Sequence, residues 1–130
     1  MWYEVAMNPK AVSSIFTGDE PCLEKIEVSK IIMSYDGPSF TIIFDVKNYP
    51  MNPPEKWKQY SYNQAQIALQ LWDVKDVKIE GWSTINIADI SFLQLEPQKF
   101  LFKLIGSGCA MTMQFQRMQV EVTGYMNKTH

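Results

Sequence analysis

The chain has 130 residues, 46% of them hydrophobic, with 12 lysines and arginines against 14 aspartates and glutamates and a net charge of −2. That length makes one domain over residues 1–130, able to bury roughly two-thirds of the surface its unfolded chain exposes, and the hydrophobic fraction excludes a disordered polymer. The charges are intermixed, without the basic stripe that draws a phosphate backbone, so nucleic acid is not an expected partner.

The opening Met1-Trp2-Tyr3-Glu4 has neither the basic n-region nor the apolar core of a secretory signal. No apolar run approaches the roughly 18 residues of a membrane span, and a cytoplasmic protein is expected. Cys22 and Cys109 lie far apart and outside any CxxC spacing, which reads as two buried thiols rather than a disulfide. Residues 8–18 predict a short helix: Asn8 as N-cap, Pro9 at the first position, Ala11, Val12, Ile15 and Phe16 as an apolar stripe, and Gly18 as terminator. A helix that short is unstable alone in water and has to dock on a sheet.

Residues 23–47 read as a β-hairpin. Ile26 and Val28 share one parity, while Ile31, Met33 and Tyr35 take the other. Such a phase slip near Ser29-Lys30 is what a β-bulge produces, since one extra residue turns every later side chain to the opposite face. Asp36-Gly37-Pro38 supplies the turn, and Phe40, Ile42, Phe44 and Val46 return on one face. The next ten residues, 48–57, hold three prolines and cannot join a ladder, so they predict a stiff loop.

Residues 65–82 carry the clearest alternation. Ala65, Ile67, Leu69 and Leu71 oppose Gln64, Gln66 and Gln70, and then Val77 and Ile79 oppose Lys78 and Glu80. Asp73-Val74-Lys75-Asp76 between them is either a turn or a bulge in one long strand. The pattern predicts the central strand pair of an antiparallel sheet, with an exposed row of amides and charges flanked by Trp72 and Trp82. Ile85 and Ile87 then share a face, and Ile90, Phe92 and the Leu93/Leu95 pair shift phase. Phe100, Phe102 and Leu104 form another strand, Gly106-Ser107-Gly108 a turn, and Met111, Met113 and Phe115 start the last strand. That strand slips parity again around Gln116-Arg117 before Met118, Val120 and Val122. Repeated slips predict a strongly curved sheet. The fold expected is mainly β: one curved antiparallel sheet, or a partly open barrel or sandwich, of about seven or eight strands with a short N-terminal helix.

Catalytic chemistry is not legible. The single histidine, His130, is the last residue; chain ends are usually disordered, so a Ser-His or Cys-His nucleophile pair, whose base must be held within hydrogen-bond reach, is not expected. Histidine–cysteine metal sites fail on the same count, and no cofactor is implied. Asp73, Asp76 and Glu80 are interrupted by Lys75 and Lys78, the pattern of a solvated strand edge guarded against aggregation. Asp19-Glu20 is the other acidic pair. Gly106-Ser107-Gly108-Cys109 lacks the lysine and following helix of a phosphate loop. Met111, Met113 and Met118 suit core filling or a methionine-lined groove. Trp57, Tyr60 and Tyr62 stand beside lysines and glutamines as either an aromatic contact patch or packing over the end of the sheet.

Taken as an ordered set, these features resemble the immunity protein 50 family of bacterial polymorphic toxin systems. The resemblance runs from Trp2 through Asn8-Pro9, Ile15-Phe16, Gly18, Pro21-x-Leu23 and Gly37-Pro38. It continues through Pro53-Pro54-x-Lys56-Trp57, Leu69-x-Leu71, Val74-x-x-Val77 and Gly81-Trp82. It implies a small, mostly β cytoplasmic antidote that binds a cognate protein toxin and blocks it, with no membrane and no catalysis of its own. The family brings no contact residues to carry over. From the residues themselves the expected toxin-binding set is Trp57, Tyr60, Tyr62, Asp73, Asp76 and Glu80. The competing readings are a small-ligand-binding β-barrel with an apolar cavity and an enzyme using converging carboxylates.

Overall fold

The structure, a computed structural model, describes residues 1–84 and 86–129. Ile85 and His130, both used in the sequence reading, lie outside the described residues. Eight strands form one unclosed, wholly antiparallel sheet: β1 (Ile26–Ser34), β2 (Ser39–Asp45), β3 (Gln64–Trp72), β4 (Lys75–Glu80), β5 (Ile87–Glu96), β6 (Lys99–Gly106), β7 (Ala110–Phe115) and β8 (Arg117–Tyr125). Their order across the sheet is β4-β7-β6-β5-β1-β2-β3-β8. A 3-10 turn (Trp2–Val5), α1 (Lys10–Ser13) and α2 (Glu55–Gln59) complete the described elements.

The alternation places the core. Phe40, Ile42 and Phe44 of β2, Ala65, Ile67, Leu69 and Leu71 of β3 and Met118 of the adjoining β8 are fully buried, in one core with Phe102, Met111, Met113 and Phe115 from the other limb of the sheet. The three methionines are therefore core filler. The phase slips mark real features: at the first, the β1–β2 register shifts between Val28 and Lys30 as a bulge does, and at the second, where a bulge or a bend is expected, the chain bends and β7 gives way to β8 at Gln116.

The stretch expected to be central is arranged differently. β3 and β4 do not pair with each other. β3 lies between β2 and β8, while β4 is an edge strand paired with β7 alone. Only Asp73 and Val74 separate β3 from β4, and only Gln116 separates β7 from β8. The pairings run in step from Gln64↔Tyr125 through Trp72↔Arg117 to Lys75↔Gln114 and Glu80↔Ala110. The outermost ladders of the sheet are thus two halves of one long ladder, bent at residues 73–75 and 116. Asp73 and Asp76 take positive φ angles of 59° and 54° at this bend, a conformation aspartate tolerates better than most residues because its carboxylate bonds locally. The bend lets one long-range ladder supply both ends of the sheet, which sequence periodicity does not encode.

The helix expected over residues 8–18 shrinks to Lys10–Ser13, and its N-terminus has no side-chain cap. Val12 and Phe16 are nevertheless buried, so the apolar stripe docks on the sheet as expected. The proline-rich loop ends in α2, whose Trp57 is 7% exposed. Its ring lies against Tyr49, with centroids 5.8 Å apart, and on Gly124 of β8, where an added Cβ would stand 2.6 Å from ring carbon Cδ2. Glycine is required there by proximity.

Candidate functional site

Asn8 has a task other than capping a helix. Its side-chain Nδ2 donates to the Val120 carbonyl at 2.8 Å and its Oδ1 accepts from the Val120 N–H at 3.0 Å, while the Met7 N–H donates to the Met118 carbonyl at 2.8 Å. The side-chain amide presents the same donor–acceptor pair as a neighbouring strand's peptide group, so residues 7 and 8 cover part of the outer edge of β8. On the opposite, inner side of β8, where it pairs with β3, the Asn63 N–H extends the ladder by donating to the Tyr125 carbonyl at 3.2 Å. Tyr125 points its hydroxyl at Asp45, to which it donates a hydrogen bond. Gln66 Nε2 donates to the same carboxylate at 3.1 Å. Burial, followed by the bond to Asp45 and the charges of Asp45 and Glu27, pushes the Tyr125 phenol up to about 12.

The other edge is bare. Among the described residues, the side of β4 away from β7 has no strand partner. All six of its residues are exposed. Val77 and Ile79 share the parity that faces the interior, because Ile79 pairs with the buried Met111, yet they remain 37% and 42% exposed. The sheet turns these side chains inward but lays no cover on them. Lys78 and Glu80 point the other way.

A second unpartnered edge lies close by. β1 pairs with β5 only at Ile26↔Ala88 and Glu27↔Ile87, extended by reciprocal bonds between Val28 and Asn86 at 2.8 and 2.9 Å. Beyond the bulge at Ser29, β1 keeps β2 on one side and, among the described residues, has no strand on the other. Two solvent-open hollows occupy this region. One of about 170 Å³ lies between residues 28–31 and Trp82, Leu104, Cys109 and Met111. One of about 390 Å³ lies between Met33, Tyr35 and Ser39 on one side and Val74 and Val77 on the other. The apolar run Ile31-Ile32-Met33, which breaks strict alternation, was the sequence signal for this surface and was absorbed into the hairpin.

The expected contact residues divide into two groups. Trp57 belongs to the packing beneath the surface. Tyr60 is exposed and Tyr62 half-buried, their rings stacked with centroids 5.7 Å apart; they sit before β3. Asp73, Asp76 and Glu80 lie beyond its other end, and a nine-residue strand spans about 30 Å. Asp73 is held by Arg117, whose Nε donates at 2.9 Å, and the same guanidinium lies 6.0 Å from the Trp72 ring centroid. Asp76 and Glu80 are on the bare edge. The amide row is not exposed: Gln64 is buried, its Nε2 donating to the Val46 carbonyl at 2.7 Å, and Gln66 and Gln70 are half-buried.

Neither hollow is a barrel interior, because the sheet is open and its core is filled by side chains. The three carboxylates run out along an exposed strand and do not converge in a cleft. Among the described residues no group of three or more His, Cys, Asp or Glu side chains is placed to hold a metal. Both cysteines are half-buried free thiols, and among the described residues no helix is long and apolar enough to cross a membrane. The family model described as Immunity protein 50 matches residues 8–125. No curated protein and no solved structure matches the chain.

Proposed function

The chain belongs to the immunity protein 50 family, and from that membership we propose that it is a bacterial cytoplasmic antidote that binds a cognate protein toxin and neutralises it by occlusion. The family match across the whole sheet carries this reading, and the bare β4 edge supports it. That edge exposes inward-turned apolar side chains within a border of charges, the composition of a surface that acts by contact. Blocking by coverage needs an interface of about 800 Å² on each partner, with affinity concentrated in a few anchors. Asp76 and Glu80 on the open edge, with Asp73 at the bend, are the proposed charged contacts; Tyr60 and Tyr62 form a separate aromatic surface at the opposite end of β3. The family suggests a non-catalytic role, which agrees with inhibition by binding alone.

Co-expression with the polypeptide encoded by the adjacent gene tests the reading. Rescue of growth together with a stoichiometric complex is expected. No rescue and no complex would remove the assignment.

A further inference from the structure

We propose that the gap between β1 and β4 is a receptor for one extended segment of the toxin, which enters as an added strand; this rests on the immunity reading above. The backbone makes the first argument. Along the bent ladder, β3 and β4 keep the β7–β8 strand on the same side, so the bare side of β4 continues the side by which β3 pairs with β2. It therefore faces the β1–β2 hairpin. β1 contributes the opposing wall through the unpaired edge of residues 29–34. The larger hollow has β1 residues Met33 and Ser34 on one wall and Val77 of β4 on the other, and the smaller has residues 28–31 of β1 facing Trp82, just past the end of β4. A row of peptide donors and acceptors at strand spacing is matched by another extended backbone.

The second argument concerns which backbone fits. Two walls with unpaired edges call for a strand with both of its own edges available. The edge of a folded sheet has one side already occupied, and a second copy of this chain would bring β4 with β7 attached. A loop or terminal segment of the partner satisfies both walls, while a sheet edge satisfies one.

The side chains give the occupant its chemistry. Met33 and Ile31 share the parity of the core, since they pair with the buried Phe40 and Ile42. Together with Val77 and Ile79 they make an apolar floor, and Met33 is 50% exposed. Lys30, Lys78 and Glu80 stand on the outward face of the two walls. The fitting segment alternates: apolar residues inward, and on its outer face an acidic residue for the lysines and a basic one for Glu80, since opposite charges directly across strands are favourable and like charges are not.

Amide hydrogen exchange, on the protein alone and saturated with the polypeptide of the adjacent gene, tests this. Amides in residues 29–34 and 75–80 that face the gap are expected to exchange at least about tenfold more slowly in the complex, as newly hydrogen-bonded groups do. A stable complex in which neither wall gains protection overturns the strand proposal and leaves the immunity reading standing. Protection of one wall alone also overturns it, showing edge-to-edge pairing, as does a toxin-free dimer that protects the same amides. No complex at all defeats the immunity reading and this proposal with it. As a second measurement, Met33→Lys and Val77→Lys alter exposed floor positions. They are expected to weaken binding by about 100-fold, the effect of losing a central anchor, with Tyr60→Ala within about twofold; the reverse ranking would relocate the interface and overturn the proposal.

Discussion

The two edges of this sheet are made by the same bent ladder and are treated in opposite ways. At β8 the chain lays Met7 and Asn8 along part of the edge, and Trp57 packs on Gly124. At β4 it places a bulge and the charges Lys75, Asp76, Lys78 and Glu80, and leaves the inward-facing Val77 and Ile79 partly wet. A bulge and charges discourage indiscriminate pairing between sheets. They do not satisfy the edge, so it stays available to a partner of matching charge. The contrast teaches that covering an edge is a stability device, while guarding it leaves room for function.

That contrast can be broken most forcefully at Trp57. Trp57→Ala empties the space between α2, Tyr49 and Gly124 and is expected to cost about 3–5 kcal/mol in chemical denaturation, the range for large buried aromatics; this makes it a test of folding and not of binding. Asn8→Ala removes both hydrogen bonds to Val120 and is expected to cost about 1–3 kcal/mol, because the peptide groups of a buried strand residue lose their partners. Equal stability to the parent chain would show that water covers the edge as well as Asn8 does.

The covered side also carries a pH signature. The Tyr125 phenol has its folded pKa raised to about 12 from an ordinary value of 10. Its contribution is therefore fully present below pH 10 and is lost as pH rises toward 12. Denaturation midpoints should fall across that window, and Tyr125→Phe should flatten the fall; an unchanged slope in the variant would place the alkaline sensitivity elsewhere.

Effects shrink toward the open edge. The Asp73–Arg117 pair at the bend has side chains 42% and 55% exposed, so a double-mutant cycle should give less than about 1 kcal/mol of coupling. Asp76→Lys with Glu80→Lys is expected to change stability by no more than about 0.5 kcal/mol, as exposed substitutions do, while reducing toxin affinity. A large loss of stability there would mean that the bare edge is structural after all. Replacing Lys78 and Glu80 together by valine should leave the fold intact but produce concentration-dependent self-association in sedimentation, since the guard against edge pairing is gone.

Much of this was readable before any coordinates. The alternation of β2 and β3 named core residues that are all buried, and the phase slips at Ser29 and Gln116 located the bulge and the bend. Asn8 misled because the same side-chain pair of donor and acceptor that caps a helix also imitates a strand's peptide group. Val77 and Ile79 misled in a different way: parity gives the direction of a side chain, but not what stands above it. Trp57 was undecidable from its neighbours, since an aromatic beside lysines looks alike at a surface patch and over a sheet end until Gly124 is seen beneath it.

Local order along the chain determined which residues alternate, where the register slips, and hence that this is a curved β domain with one face dry. Only the tertiary structure decided that β3 and β4 part company, that one edge is covered and the other bare, and that a gap lies between β1 and β4. The physical reason is that side-chain direction follows from the backbone's two-residue repeat, whereas the strand on the far side of a ladder, or its absence, depends on chain that is distant in sequence.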